Sequence, residues 1–348
     1  MSMTSHPEPL IHIPLYCWQH APDRPMRFMV QQLLTCLHSY FAHENTYDLL
    51  VTTNDRRPLE ILSAYKKNTG YGFKLRFVTQ RELLSVFKTD LSRLNNIQCI
   101  RMIFSKFYPI LTREADAVIH VDFDTMFTAT VDLAPLLVSD IGLVDANQFW
   151  PEGGAGKRQD RQWEFFGLSS PVNAPWNWIN SGVFSVQRRG FQIIADEVSH
   201  YLDNLKRAVA IGVNRHTDEF IMNALAIRER DAVTVIPDYC YNFLAYFLEH
   251  DPTWTTSAQI VHFHSVKPEN FWYANGAVTH RCDAVRAKRV NEDLYLAVLM
   301  WYRHFHAACR GLPYIFPLLK GIPLEVVERE IAIRCRDNYR FETAKSSS

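Results

Sequence analysis

Apolar positions recur along the first two thirds of the chain with two spacings. The runs 11-IHIPLYC-17, 47-YDLLVTT-53, 74-KLRFVT-79, 140-DIGLVDA-146, 179-INSGVFSVQ-187 and 232-AVTVIP-237 are short, rich in β-branched residues and bounded by polar stretches, so they are expected as strands. Between them, 27-RFMVQQLLTCLHSYF-41, a Leu-rich stretch from Glu82, 97-IQCIRMIFSKFYPIL-111 and segments near 190–210 and 217–228 carry apolar residues at helical spacing. Alternation of the two predicts an α/β domain with a largely parallel sheet flanked by helices. After about residue 276 the pattern becomes helical and is broken by Pro313, Pro317 and Pro323. The expected organisation is a domain over 1–275 and a C-terminal helical extension over 276–348.

Length and charge narrow the function classes. The 348 residues suffice for one large core. Lys and Arg total 37 against 37 Asp and Glu, so no global field draws the chain to nucleic acid. Seven scattered cysteines without C-x-x-C spacing argue against a disulfide framework or a zinc knuckle and for reduced thiols. The opening MSMTSHPEPLIHIPLY lacks a basic start followed by an apolar core, and the longest apolar run, 294-LYLAVLMWY-302, is far short of the ~20 residues of a spanning helix. A cytoplasmic protein is expected. Trp301, Tyr302, His304 and His306, set among basic residues, offer either an acceptor-docking or membrane-surface contact or a helical lid over the sheet.

The chemistry concentrates in four places. The stretch 117-AVIHVDFDTMF-127 runs an apolar strand into Asp122 and Asp124; in a parallel sheet ligands sit beyond such strand ends, and two hard oxygens on one side suit Mg²⁺ or Mn²⁺ shared with a diphosphate. A D-x-D triplet arises by chance about once in a chain of this length, so the triplet alone decides nothing. A strand over 258–265 would put His262 and His264 on one face and Val261 and Phe263 on the other, with Lys267 just beyond as a phosphate partner. In 216-HTDEFIMNAL-225, Thr217 is placed to cap a helix whose first turn holds Asp218 and Glu219, acids that the helix dipole favours whatever the protein does. In 179-INSGVF-184, Asn180 and Ser181 open a strand and Gly182 permits close backbone approach. The loop EGGAGKR lacks the Gly and the Ser or Thr that a phosphate loop requires.

In order and spacing these pieces resemble GT-A fold glycosyltransferases, most closely the retaining family 8 enzymes, over roughly residues 10–273. The helix with Arg101 before 119-IHVDFDT-125, then 180-NSGV-183, 218-DEFIMN-223 and 262-HFHSVKP-268 carry the resemblance. It implies a Rossmann-like GT-A domain that moves a hexose from a nucleotide diphosphate sugar, by family habit a UDP-sugar, to a hydroxyl acceptor on a glycan, lipid or protein. It makes Asp122, Asp124 and His262 ligands of Mn²⁺ or Mg²⁺, with His264 the competing imidazole. It puts Arg101 and Lys267, with Asp122, at the diphosphate, Asp145 and Asp218 on donor hydroxyls, and Asn180 beside the reacting sugar. Three positions depart from the family pattern: Ser265 for a glycine, Phe220 for the second acid of a D-Q-D triplet, and Glu219 for glutamine. A carboxylate at 219 is expected to act either as an electrostatic stabiliser or as a covalent nucleophile. An inverting transferase, and a binding protein of the same fold without turnover, are the alternatives.

Overall fold

The structure, a computed structural model, describes residues 9–16, 23–86, 105–145, 165, 167, 179–204, 207, 210, 217–237, 239–245, 248, 253–263, 268, 271–274, 277–280, 292–312, 323–326, 328–329 and 332. Arg101, His264, Ser265, Lys267 and the EGGAGKR loop lie outside these residues.

In chain order the strands are β1 (Leu10–Leu15), β2 (Asp48–Thr53), β3 (Lys74–Phe77), β4 (Ala117–Val121), β5 (Thr125–Phe127), β6 (Ile141–Asp145), β7 (Ile179–Gln187), β8 (Val233–Ile236), β9 (Phe243–Leu244), β10 (Ile260–His262), β11 (Phe271–Ala274) and β12 (Ala277–His280). The helices are α1 (Asp23–Ala42), α2 (Arg56–Thr69), α3 (Gln80–Ser85), α4 (105–111), α5 (Gly190–Asp203), α6 (Thr217–Arg228), α7 (Trp254–Ser257) and α8 (Glu292–Ala308). Local chemistry sets several boundaries. Asp55 caps α2 by accepting from Arg57 N at 2.9 Å, and Gly70 ends that helix at φ 70, a left-handed conformation that a Cβ disfavours.

Seven strands form the central sheet in the order β3-β2-β1-β4-β7-β6-β8. Only β7 runs against its neighbours; the other six share one direction. The start of β7 therefore lies at the same end of the sheet as the carboxyl ends of β4 and β6. Alternation divides the strands between two cores. Ile11, Ile13, Ile119 and Val121 face a core shared with α1 and α8, whereas Val118, Leu143 and Phe184 face one shared with α4, α5 and α6.

Two features differ from the expectations. Among the described residues, the strand expected over 258–265 covers Ile260–His262, and it lies not in the central sheet but in a small one, β5-β10-β9, that also uses the three residues after Asp124. The extension contributes α8, whose Leu296, Val298, Trp301 and Phe305 join the α1 core. Trp301 and Tyr302 are buried there, which removes them from any membrane-facing or acceptor-docking surface. No helix among the described residues is long and apolar enough to cross a membrane.

Candidate active site

The two aspartates converge by a different route from the extended chain that the sequence suggests. The ladder with β7 continues one residue past β4, Asp122 N donating to Gly182 O at 2.8 Å, and the chain then turns at 123–124. Thr125 Oγ1 closes the turn on Asp122 O at 2.8 Å. Beyond it β5 pairs with β10 so that Thr125 stands opposite His262, and Phe263 N donates to Asp124 O at 2.9 Å. The small sheet is thus what carries an imidazole from late in the chain to the mid-chain acids. His262 Nε2 lies 3.2 Å from Asp124 Oδ1 and 3.7 Å from Asp122 Oδ2. Each of the three residues offers a ligand atom within 4.8 Å of the other two.

This donor set fits a hard or borderline divalent cation: two carboxylate oxygens and one imidazole nitrogen, nearly enclosed, with carboxylates close enough to repel unless positive charge lies between them. Part of that charge comes from a residue with no role among the expectations above. Lys106, buried on α4, donates to Asp122 Oδ2 at 3.0 Å, Ser181 Oγ at 2.9 Å and Ser181 O at 3.1 Å, and lies 2.7 Å from Asp218 Oδ2. One ammonium thus faces Asp122 and Asp218, with Asp124 beside them.

Burial alone would raise the Asp122 pKa; the Lys106 ammonium and a hydrogen bond from His120 outweigh it and hold the group below the usual carboxylate range. Asp218 is likewise held well below that range against its burial, by Lys106 and by Ser181 Oγ, which donates to Asp218 Oδ2 at 2.6 Å. Burial would depress Lys106, but the two acids raise it, so it stays charged. His120, fully buried on β4, has its pKa lowered by burial despite Asp122; in the neutral ring Nε2 carries the proton that it shares with Asp122 Oδ1 at 2.9 Å. Both oxygens of Asp122 are therefore oriented by the protein.

Glu219 behaves oppositely. Burial and the neighbouring Asp218 charge push its pKa up to about 8. It accepts from Asn180 Nδ2 at 2.8 Å. Asn223 sets this placement by joining α6 to the start of β7: its Oδ1 accepts from Ile179 N at 3.2 Å, and its Nδ2 donates to Ile179 O at 3.2 Å and Glu219 O at 2.7 Å. Phe220 turns into the core between α6 and the sheet, so a second acid would be buried there. Asp145 ends β6 opposite Ile179, at the same end of the sheet and half-buried.

Of the residues singled out in the sequence, Asp122, Asp124, His262, Asn180, Asp218 and Glu219 thus share one linked site, and Asp145 stands at its edge. Lys106, His120 and Asn242 were missed. Each had the same signal, a polar residue in an apolar run: 102-MIFSKFYPIL-111, 117-AVIHV-121 and 239-YCYNFL-244.

No protein-family model matches the chain, and no curated protein matches it in sequence. Among solved structures it is similar to the apo crystal structure of mouse xyloside xylosyltransferase 1, with a TM-score of 0.50 and 11% identity over 75% of this chain and 99% of that one. A second similar structure is the galactosyltransferase LgtC in complex with donor and acceptor sugar analogs, at TM-score 0.44 and 14% identity, covering 91% of this chain and 98% of that one. At such identities the first likeness speaks to the fold, and the mixed sheet with its flanking helices is that of the GT-A class.

Proposed function

We propose that the protein is a metal-dependent glycosyltransferase that moves a hexose from a nucleotide diphosphate sugar, a UDP-sugar by the family resemblance, to a hydroxyl acceptor with retention of configuration. The observation that carries this reading is the meeting of Asp122, Asp124 and His262 within 4.8 Å, at the carboxyl end of the sheet. Breaking the anomeric bond develops negative charge on the leaving diphosphate and positive charge on the sugar ring. Asp122, Asp124 and His262 would hold Mn²⁺ or Mg²⁺, which when bound supplies Lewis-acid charge at the diphosphate. Lys106 adds a fixed positive charge beside Asp122, already oriented before substrate arrives. Arg101 and Lys267 keep in this reading their place at the diphosphate, and Asp145 and Asp218 their place at donor hydroxyls.

Glu219 is the group assigned to the sugar. Asn180 Nδ2 holds one of its oxygens, and as the anion it would stabilise the oxocarbenium-like state or bond to the anomeric carbon as the diphosphate leaves. To test this, the purified protein is incubated with Mn²⁺ and a panel of UDP- and GDP-sugars. Slow, metal-dependent release of nucleotide that disappears in Asp124→Ala is expected, and transfer products with the donor's anomeric configuration by NMR. Equal release by Asp124→Ala removes the cation from the reading; inverted products remove Glu219 as the retaining group.

A further inference from the structure

One backbone group fixes the order of protons through the buried network behind the three candidate ligands. Gly182 N–H can only donate, and it donates to Asn180 Oδ1 at 3.0 Å. The Asn180 amide is thereby oriented, leaving Nδ2 to reach Glu219. The atom of Asn242 that faces Asn180 meets two acceptors, Asn180 O at 3.2 Å and Oδ1 at 3.0 Å, so it must be Nδ2. Asn242 then presents Oδ1 to His262 Nδ1 at 3.0 Å. An amide oxygen brings no proton, so Nδ1 carries it, and in the neutral ring the lone pair is on Nε2, the nitrogen aimed at Asp122 and Asp124.

The alternative tautomer would behave very differently. With its proton on Nε2, His262 would turn an N–H toward Asp122 and Asp124, with Asp124 Oδ1 3.2 Å away though outside hydrogen-bond alignment, and that proton would occupy the position where a cation must bind. We infer that Asn242 is a positioning residue that holds His262 in the cation-accepting tautomer and prevents this self-closure. Its own place follows from topology: β9 begins at the next residue and pairs with β10, with Leu244 opposite His262. Asn242 and His262 are each only 1% exposed, so the contact by which the amide orients Nδ1 is shielded from solvent. The inference rests on reading Asp122, Asp124 and His262 as a cation site, and concerns how that site is kept open.

The test reads the tautomer directly. Metal-free protein labelled with ¹⁵N-histidine is examined by long-range ¹H–¹⁵N correlation, and Mn²⁺ affinity is measured separately, without any sugar, from the free-ion EPR signal. Wild type is expected as the Nδ1–H form. Asn242→Leu, which removes the acceptor, should move His262 toward Nε2–H and weaken Mn²⁺ by roughly 10–100-fold. Asn242→Asp, which keeps an acceptor toward Nδ1 but replaces the donor to Asn180 O and Oδ1 with a second oxygen, should retain the Nδ1–H form and bind more tightly than the Leu variant. An Nε2–H wild type overturns the inference, as does an Asn242→Leu protein with unchanged tautomer and affinity. Should the Leu variant not fold, the wild-type spectrum and the Asp variant still decide. Absence of Mn²⁺ binding by wild type would remove the cation site beneath the inference, whereas intact metal binding without donor turnover would count against the transferase reading alone.

Discussion

The imidazole of His262 lies against the backbone of Gly182. A Cβ built at that glycine would come 2.3 Å from His262 Nδ1 and 2.9 Å from Asn180 Oδ1, both far inside contact distance. Gly182 thus admits a neighbouring side chain, where the sequence suggested close backbone approach. Because Asn242 also holds the ring at Nδ1, the ring cannot simply swing away. Gly182→Ala is therefore expected to fold with a displaced His262 and to lose at least about tenfold in Mn²⁺ affinity. Calorimetric titration checks this; unchanged affinity would mean that the ring has room that the geometry denies it.

Lys106 offers a test in which charge and packing separate. Lys106→Met preserves much of the side-chain volume while leaving Asp122 and Asp218 without their buried cation. Breaking such a pair costs about 3–5 kcal/mol near neutral pH. Both acids have depressed pKa values in the folded protein, so the stability they contribute is present above the ordinary Asp range and is lost as pH falls through and below it. The difference between wild type and variant in urea unfolding should therefore shrink toward about pH 3. Added Mn²⁺ should restore part of the loss at neutral pH. A deficit of constant size at every pH would assign the effect to packing.

The central sheet and its helices were legible because long elements carry a clear period: β7 and α6 begin and end where the apolar pattern places them. The small sheet was not. Strands of two and three residues, β5, β9 and β10, have no period to read, and their pairing depends on contacts between residues far apart in sequence. For that reason the D-x-D and His262 could be named as ligands, yet the turn that joins them and the role of Asn242 could not. Arg101 matches a family position, but the ammonium of Lys106 within the apolar run 102–111 is the stronger physical signal, since burying it demands partners. Trp301 was ambiguous for a different reason, because an aromatic residue among basic ones suits a membrane surface and a helix packed on the core equally well.

That ambiguity yields a direct measurement. Trp301 is fully buried, stacks on Phe305 with centroids 5.4 Å apart, and joins the core that α8 shares with α1. Trp301→Ala should cost about 3–5 kcal/mol in urea unfolding. It should leave association with anionic vesicles at the wild-type level, whatever that is. A stable variant that loses vesicle binding would place the tryptophan at a surface instead of in the core.

Glu219 sets the sign of one pH effect opposite to that of Asp122 and Asp218. Its folded pKa, about 8, lies above the ordinary glutamate value of 4.5, so between these values the folded state holds a proton that the unfolded chain has released. Stability must then fall as pH rises through this window, and the cost of ionising a buried carboxylate is complete only above about 8. Glu219→Gln removes the titrating group and should flatten the stability profile between about pH 5 and 8, making the variant more stable than wild type at the alkaline end by a few kcal/mol, on the order of 3–5. Mn²⁺ should flatten the wild-type profile as well, because nearby positive charge favours the anion and lowers its pKa. Turnover should rise with pH over the same range in wild type, since the ionised carboxylate is the form that can meet a developing positive charge, and Glu219→Gln should be slow at every pH. A variant that transfers sugar at the wild-type rate would leave the raised pKa as a stability effect with no part in the chemistry.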